Sequence, residues 1–322
     1  MADYTFLDFA EEVLADAPSP LTYQEIWEKG VEASLLPKLA TTGRTPWQTL
    51  GSRLFVDARD NPRSKFAKIG KNPARFFLKS RQGELRPEDS VALALPTREG
   101  AARNREPYPE RALHPLLAYF AFSNTAFNRG RQIYTKTIFH EKTRPGAPSE
   151  WVHPDMVGVY LPLEDWNEEL IKFNKTAGRG AIRLYSFEIK KVIDRGNYRE
   201  SFFQAVSNSS WANEGYLVAP QVQQRDDLLA ELERLSNSFG IGIIQLDLDD
   251  FDSSTVLYPA SRRSELDWEL MNKLCEANED FEAFIRDVKT DYEGGRLHKS
   301  EYDQIPSDPA AYINKLRSQK QA

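Results

Sequence analysis

Cysteine is almost absent from this sequence. Cys275 is the single cysteine among 322 residues, so an intramolecular disulfide is excluded and a zinc site built on thiolates is not expected. The four histidines show no metal-ligand spacing; they are His114, His140, His153 and His298. Low cysteine usage is typical of the reducing cytoplasm, and the sequence therefore predicts a cytoplasmic location.

Long apolar runs are also missing. No stretch approaches the ~18 apolar residues of a membrane-spanning helix, and the N-terminal residues lack the basic stretch and apolar core of a signal peptide. We therefore expect neither a membrane span nor a signal peptide. The sequence contains no P-loop, no G-x-S-x-G elbow and no glycine loop for S-adenosylmethionine, so no nucleotide cofactor is expected.

Two acids and a lysine stand in a spacing that has a chemical meaning. Asp155 follows a proline and precedes Glu188 by 33 residues, and Lys190 comes two residues after Glu188. Both acids lie in segments rich in β-branched and aromatic residues, which predicts strands. Two adjacent carboxylates offer oxygen ligands to Mg²⁺ or Mn²⁺, and Lys190 projects from the same strand face as Glu188, where it can orient an attacking water. The pattern therefore predicts a metal-dependent phosphodiesterase.

The context of this motif resembles a known nuclease superfamily. Residues from about 110 to 290 resemble the PD-(D/E)xK superfamily, and the run 202–219 is similar to HrgA-like, restriction-associated bacterial proteins. The resemblance implies a restriction-endonuclease-like fold, an α/β (α+β) mixed sheet flanked by helices. It also implies that Asp155 and Glu188 bind the metal, with the Ile189 carbonyl as a further ligand, and that Lys190 is catalytic.

Two more candidates follow from this resemblance. Glu110 opens the helix before the first core strand, where an acid of this fold often reaches the metal; the alternative is a charge that complements the helix dipole. Gln204 lies on the helix after the Glu188 strand, where a glutamine often orients the lysine or the phosphate. The alternative for Gln204 is an ordinary polar helix face.

The first 81 residues predict a winged helix-turn-helix. An apolar stripe over 4–15 and a capping box formed by Thr22 and Glu25 predict two helices, and Thr45 followed by proline marks the start of a third. Two short strands, 66–69 and 74–78, follow on either side of a turn. This segment resembles a HARE-HTH domain, a winged helix found beside nucleases and in chromatin and transcription proteins.

Basic residues are concentrated in the same segment. From Arg44 to Arg81 ten basic residues accompany two acidic ones, a local charge of +8 in a chain whose net charge is −6. DNA responds to a local patch rather than to the whole-chain charge. If the third helix enters the major groove, the candidate DNA-binding residues are Gln48, Thr49, Ser52, Arg53, Lys71 and Arg75. The alternative is that this domain binds protein.

The predicted organisation is a winged helix at 1–81, a linker at 82–109, a nuclease-like domain at 110–292 and a tail at 293–322. Within the second domain, a strand, helix and strand from Tyr216 to Leu246 predict a parallel strand pair. Segments 266–288 and 308–316 predict surface helices that act as a lid, a dimer element or simple packing. The acidic run 247–252 is interpreted as a solvated strand end.

The leading functional hypothesis is a Mg²⁺- or Mn²⁺-dependent DNA endonuclease of bacterial restriction or anti-phage defence type. One alternative is a non-catalytic DNA-binding transcriptional regulator. Another is a nuclease effector subunit activated by a defence-system partner or by homo-oligomerisation. The second alternative rests on the 30 basic against 38 acidic residues outside 1–81, because a free-standing DNA nuclease usually carries more positive charge.

Overall fold

The computed structural model describes residues 4–39, 46–61, 63–69, 74–84, 108–144, 153–176 and 181–318. The chain forms two compact units. One contains Met1–Pro107 with Thr255–Tyr258, and the other contains Tyr108–Ser254 with Pro259–Ala322. Most of the predicted linker lies outside the described residues.

The first unit is a winged helix. Its helices are α1 (Phe6–Ala15), α2 (Tyr23–Glu32) and α3 (Pro46–Asp60), followed by strands β1 (Phe66–Ile69) and β2 (Arg75–Leu78). The strands pair antiparallel, and an isolated bridge from Leu21 to Phe76 extends this small sheet. The predicted helices and hairpin are confirmed.

Local signals in the sequence fix where these helices begin. The predicted capping box is present: the Thr22 side chain accepts from the Glu25 amide at 3.2 Å, and the Glu25 carboxylate accepts from the Thr22 amide at 2.7 Å. Thr5 and Asp8 form an equivalent box on α1. Each box satisfies amide groups that have no partner inside the helix.

The second unit is built around a mixed sheet. Its strands are β3 (Tyr134–Thr137), β4 (Met156–Tyr160), β5 (Arg183–Ile189), β7 (Glu214–Ala219) and β9 (Gly242–Gln245), in the spatial order β9-β7-β5-β4-β3. Strand β10 (Thr255–Tyr258) is the segment grouped with the first unit. The β3–β4 and β4–β5 pairs are antiparallel, whereas β5–β7 and β7–β9 are parallel. The predicted parallel pair and the mixed α/β class are confirmed. Strands β6 (Val192–Ile193) and β8 (Gln221–Val222) form a separate parallel pair beyond β5 and β7.

Helices cover both faces of this sheet. They are α4 (His114–Ser123), α5 (Thr125–Asn128), α6 (Glu168–Thr176), α7 (Tyr198–Ser207), α8 (Asp226–Phe239), α9 (Trp268–Ala277), α10 (Glu279–Gly294) and α11 (Pro309–Ser318). Phe127 of α5 packs against the rings of Tyr185, Phe187 and Tyr216 on one face. On the other face, Ser186 donates to the main-chain carbonyl of Asn208, at the end of α7.

The helices predicted over 266–288 are present as α9 and α10, and one face of α10 is buried. Phe281 and Phe284 of α10 are fully buried and pack around Trp211, which is buried as well. The rings fill the space above the antiparallel half of the sheet, so α9 and α10 belong to the hydrophobic core. None of the helices in the described ranges is long and apolar enough to cross a membrane.

We predict that Thr22→Ala lowers the free energy of unfolding by about 1 kcal/mol, because the substitution leaves the first-turn amides of α2 without their cap. Thr22→Ser is the matched control, since it keeps the hydroxyl and should stay close to the wild type. Equilibrium denaturation followed by tryptophan fluorescence measures both. Equal stability of the alanine and serine variants would contradict the capping role.

Candidate active site and nucleic-acid interface

The two predicted acids meet at one end of the β4–β5 ladder. The last pair in the register joins Met156 to Phe187, so Asp155 and Glu188 occupy the next opposed positions. Opposed residues of antiparallel strands project to the same face, and both carboxylates are buried, with 9% and 2% of each residue exposed. We call them the Asp155–Glu188 pair.

The main chain changes its bonding pattern at this point. The Ile189 amide donates to Asp155 Oδ2 at 2.7 Å, so the aspartate side chain takes the place of a ladder bond. The next amide, that of Lys190, donates instead to the Val218 carbonyl of β7 at 2.9 Å. The Ile138 amide holds the Asp155 carbonyl at 3.0 Å from the β3 side. The local backbone therefore fixes the aspartate before any ligand arrives.

Glu188 lies in surroundings that disfavour its charged form. Burial and the nearby charge of Asp155 raise the pKa of Glu188 to about 7, against the opposing effects of Lys190 and Asn208. Burial also acts on Asp155, but hydrogen bonds from His140 and the Ile189 amide outweigh it and hold the pKa of Asp155 below its ordinary value. The pair is thus an aspartate that stays ionised beside a glutamate that ionises near neutrality.

Lys190 supplies the nearest cation. Its Nζ lies 2.8 Å from Glu188 Oε1, and 21% of its side chain is exposed. Burial alone would lower the pKa of Lys190, but the charge and hydrogen bond of Glu188 outweigh it and raise that pKa. The lysine therefore remains protonated and reaches from the buried pair towards solvent.

Glu110 is the acid that the sequence placed before the first core strand. It begins the 3₁₀ turn Glu110–Leu113 that leads into α4. Burial raises the pKa of Glu110, while the charges of Lys190 and Lys191 oppose this rise and that of Asp155 reinforces it. Glu110 therefore lies within electrostatic range of the pair. Its role as a metal ligand stays a prediction, as does that of the Ile189 carbonyl.

Histidines surround Asp155 although the sequence gives them no ligand spacing. His140 Nε2 lies 3.5 Å from Asp155 Oδ1, with 45% of its side chain exposed, and its ring lies 4.4 Å from that of His153. The hydrogen bond to Asp155 raises the pKa of His140, whereas burial lowers the pKa of His114 to about 4. A histidine three residues beyond the first core strand is the signal that sequence reasoning passed over.

Gln204 does not join the described contacts of the pair. Its side chain is half-buried on α7 and has no hydrogen bond to another described residue. One helical turn later, Asn208 Nδ2 donates to Glu188 Oε2 at 3.0 Å. The asparagine lies in the polar run 207–210 directly after the helix, a position that sequence reasoning left aside. The catalytic role given to Gln204 stays a prediction.

The donor set fits a hard divalent cation held largely by non-protein oxygens. Among the described residues, no group of three or more His, Cys, Asp or Glu side chains is arranged to hold a metal. Mg²⁺ commonly takes only one or two carboxylates and completes its octahedron with water and phosphate oxygens. The Asp155–Glu188 pair suits that mode, because a cation would compensate the burial and the repulsion that raise the pKa of Glu188.

The candidate DNA-binding residues of the first unit differ in their surroundings. Thr49 is buried, with 6% exposed, which corrects the expectation that it faces a groove: at its place on α3 the helix turns the side chain away from solvent. Arg53 is half-buried, and Arg75 donates to Glu25 at 3.2 Å and to the Pro20 carbonyl at 3.1 Å. Lys71 lies outside the described residues, as do the side chains of Gln48 and Ser52.

Other basic residues of the patch are engaged in internal contacts. Arg81 Nη1 donates to the carbonyls of Leu14, Ala15 and Ala17 at the end of α1, where orphan carbonyls and the helix dipole both favour a cation. Lys65 pairs with Glu11 at 2.7 Å. The local charge of +8 therefore overstates what this surface offers to phosphate.

Comparison with known families decides the nature of this unit. The model for the HARE-HTH family, a helix-turn-helix domain whose description names ASXL and restriction endonuclease proteins, matches residues 4–78. Residues 4–78 are a HARE-HTH domain. The predicted winged helix is thereby confirmed as a DNA-binding type of domain. No curated protein and no solved structure matches the chain.

We predict that Glu188→Gln stabilises the protein increasingly as pH rises from about 4.5 to 7. A carboxyl whose folded pKa is raised keeps its contribution below its ordinary pKa and loses it as pH rises through the folded value. The gain over the wild type should reach about 2–3 kcal/mol near pH 7 and then level off. Denaturation at several pH values measures it, and Glu293→Gln, at an exposed position of α10, is the control. A pH-independent difference would rule out the raised pKa.

We predict that replacing Arg53, Lys71 and Arg75 by glutamine reduces the salt dependence of DNA binding. Each lost phosphate contact should lower the slope of log K against log salt by about 0.9. Fluorescence anisotropy with a labelled duplex between low and moderate salt measures the slope. Lys172→Gln, at an exposed position of α6, is the control for charge removal away from this domain. A slope unchanged in the triple variant would assign these residues to other contacts.

Proposed function

We propose that this protein is a Mg²⁺-dependent endonuclease that cleaves DNA, with the HARE-HTH domain supplying affinity for the substrate. The observation that carries the proposal is the convergence of Asp155, Glu188 and Lys190 at one end of a single sheet, with Lys190 Nζ 2.8 Å from Glu188 Oε1. Buried acids with opposed pKa shifts beside a protonated lysine are typical of a catalytic centre.

The side chains suit hydrolysis of a phosphodiester. In the reaction a water oxygen forms a bond to phosphorus while the bond to the leaving ester oxygen breaks. Lys190 can donate to the attacking water or to a phosphate oxygen, and its position fixes that donor in advance. A bound Mg²⁺ would supply the charge that stabilises the developing negative charge. The carboxylates of Asp155 and Glu188 would hold the Mg²⁺ ion.

His140 extends this arrangement on the solvent side of Asp155. Its ring is half-exposed and contacts both Asp155 and the ring of His153, to which it is tilted by 41°. Such a group can touch a phosphate that approaches the pair. His153 is buried, and its Nε2 contacts Thr143 Oγ1 at 3.1 Å, so we assign it the support of His140.

The restriction or defence setting belongs to the proposal as well. The description of the family that matches residues 4–78 includes restriction endonucleases, and this description supports a nuclease partner for the domain. Duplex DNA, rather than RNA, is the substrate that a helix-turn-helix domain best serves.

One observation favours a trigger supplied by a partner or by self-association. Outside residues 1–81 the chain carries 30 basic and 38 acidic residues, a balance that repels a polyanion at long range. A nuclease effector of this kind would cleave slowly alone and faster when assembled. Cleavage rates measured over a range of protein concentrations distinguish the two cases, because only self-association makes the specific rate rise with concentration.

We predict that Lys190→Ala retains DNA and metal binding but lowers the single-turnover cleavage rate by about 10²–10³-fold, the usual cost of removing one preorganised donor. Glu188→Ala should instead weaken metal binding, because it removes a ligand. Calorimetric titration with Mn²⁺ and single-turnover cleavage of plasmid DNA separate the two effects.

The control for this prediction is Lys289→Ala, which removes an exposed lysine of α10 and should cleave at the wild-type rate. Asp155→Asn should abolish cleavage while leaving the melting temperature in the native range. If Lys190→Ala and Asp155→Asn both cleave like the wild type, the nuclease assignment is wrong and a non-catalytic DNA-binding regulator becomes the better hypothesis.

A further inference from the structure

Asn208 is held more firmly than a typical residue at a helix end. It caps the C-terminus of α7, and none of its surface is exposed. Its main-chain carbonyl accepts from Ser186 Oγ at 2.7 Å and from Trp211 Nε1 at 2.9 Å. Its main-chain N–H donates to the Gln204 carbonyl at 2.9 Å. These bonds tie the residue to β5, the core and α7 at once. The side chain therefore has a fixed starting point.

The side-chain amide of Asn208 connects Glu188 on β5 to the segment that precedes β4. Its Nδ2 donates to Glu188 Oε2 at 3.0 Å and to the His153 carbonyl at 3.2 Å. Both partners are acceptors, so the orientation of the amide is determined: a flipped group would set its carbonyl against both of them. One donor group thus spans from the segment just before Asp155 to Glu188.

This bridge lies where the sheet itself no longer holds the strands together. The β4–β5 register ends at Met156 and Phe187. Beyond that pair, the described cross-connections are the bond from the Ile189 amide to Asp155 and the bonds from Asn208. The bond from Ile189 positions the aspartate, and the bonds from Asn208 position the glutamate.

The oxygen of the same side-chain amide has different surroundings from the nitrogen. Asn208 Oδ1 is buried and has no hydrogen-bond partner among the described residues, and the same is true of His153 Nδ1. A buried polar atom without a partner is costly unless an ordered water or ion completes it. The amide therefore commits its donor to Glu188 and the His153 carbonyl, while its oxygen makes no competing hydrogen bond within the described residues.

We infer that Asn208 is a positioning residue that sets the separation of the Asp155 and Glu188 carboxylates. The inference rests on the proposed metal-dependent function. Mg²⁺ demands nearly ideal octahedral geometry, whereas Ca²⁺ accepts irregular sites. A misplaced carboxylate should therefore weaken Mg²⁺ binding more than Ca²⁺ binding.

The test is calorimetric titration of the full-length protein with Mg²⁺ and with Ca²⁺ at about pH 8.5, above the raised pKa of Glu188, without DNA. Asn208→Ala should lower Mg²⁺ affinity by about 10–100-fold, the usual effect of removing a group that orients a ligand. Ca²⁺ affinity should fall less, so the ratio of the two affinities should drop.

The matched control is Asn213→Ala, which removes another buried amide that accepts from the Leu184 amide and donates to the Arg263 carbonyl. It should lower the melting temperature and leave the ratio unchanged.

Several outcomes decide between the proposals. An unchanged ratio in Asn208→Ala, with wild-type Mg²⁺ binding that disappears in Asp155→Asn, overturns the role of Asn208 and leaves the metal site standing. Wild-type protein that binds neither cation in an Asp155-dependent manner overturns the metal site, and the inference falls with it. If Asn208→Ala does not fold, Asn208→Ser is measured instead, with the same drop expected, because one hydroxyl cannot bond both Glu188 and the His153 carbonyl.

Discussion

The burial of two opposed carboxylates is the constraint on which the candidate site depends. Asp155 and Glu188 face each other where the β4–β5 ladder ends, in surroundings that exclude most water. In such surroundings two like charges are expensive unless cations and donors compensate them. Hydrogen bonds from neighbouring groups provide this compensation. The Ile189 amide donates to Asp155, and the side chains of Lys190 and Asn208 donate to Glu188.

The sheet topology explains why these groups can meet. Strand β5 pairs antiparallel with β4 on one side and parallel with β7 on the other, so it stands at the change from one pairing mode to the other. Past Phe187 it keeps its bonds to β7 while the register with β4 ends. At this end of the ladder the side chains of Asp155 and Asn208 make the connections that main-chain bonds make elsewhere in the sheet.

Sequence reasoning worked best where the determinant was local. The Thr22–Glu25 capping box follows from two residues three positions apart, and the hairpin from a short turn between β-branched and aromatic runs. The acids and the lysine were found because strand alternation places Glu188 and Lys190 on one face. For α10 the sequence predicted a helix but left its role open, and the structure shows that Phe281 and Phe284 pack around Trp211.

The sequence alone determined the order of elements and the winged helix, because periodicity, caps and turn residues act over a few positions; it named the two acids as candidates from their motif spacing. Only the tertiary structure decided which side chains surround the acids. His140 lies 15 residues and Asn208 53 residues from Asp155, and neither has a local pattern that ties it there. Their places follow from how α7 packs on β5 and how the segment after β3 turns back over Asp155. The burial of Thr49 has the same cause, since exposure depends on the packing around a helix and not on its sequence period.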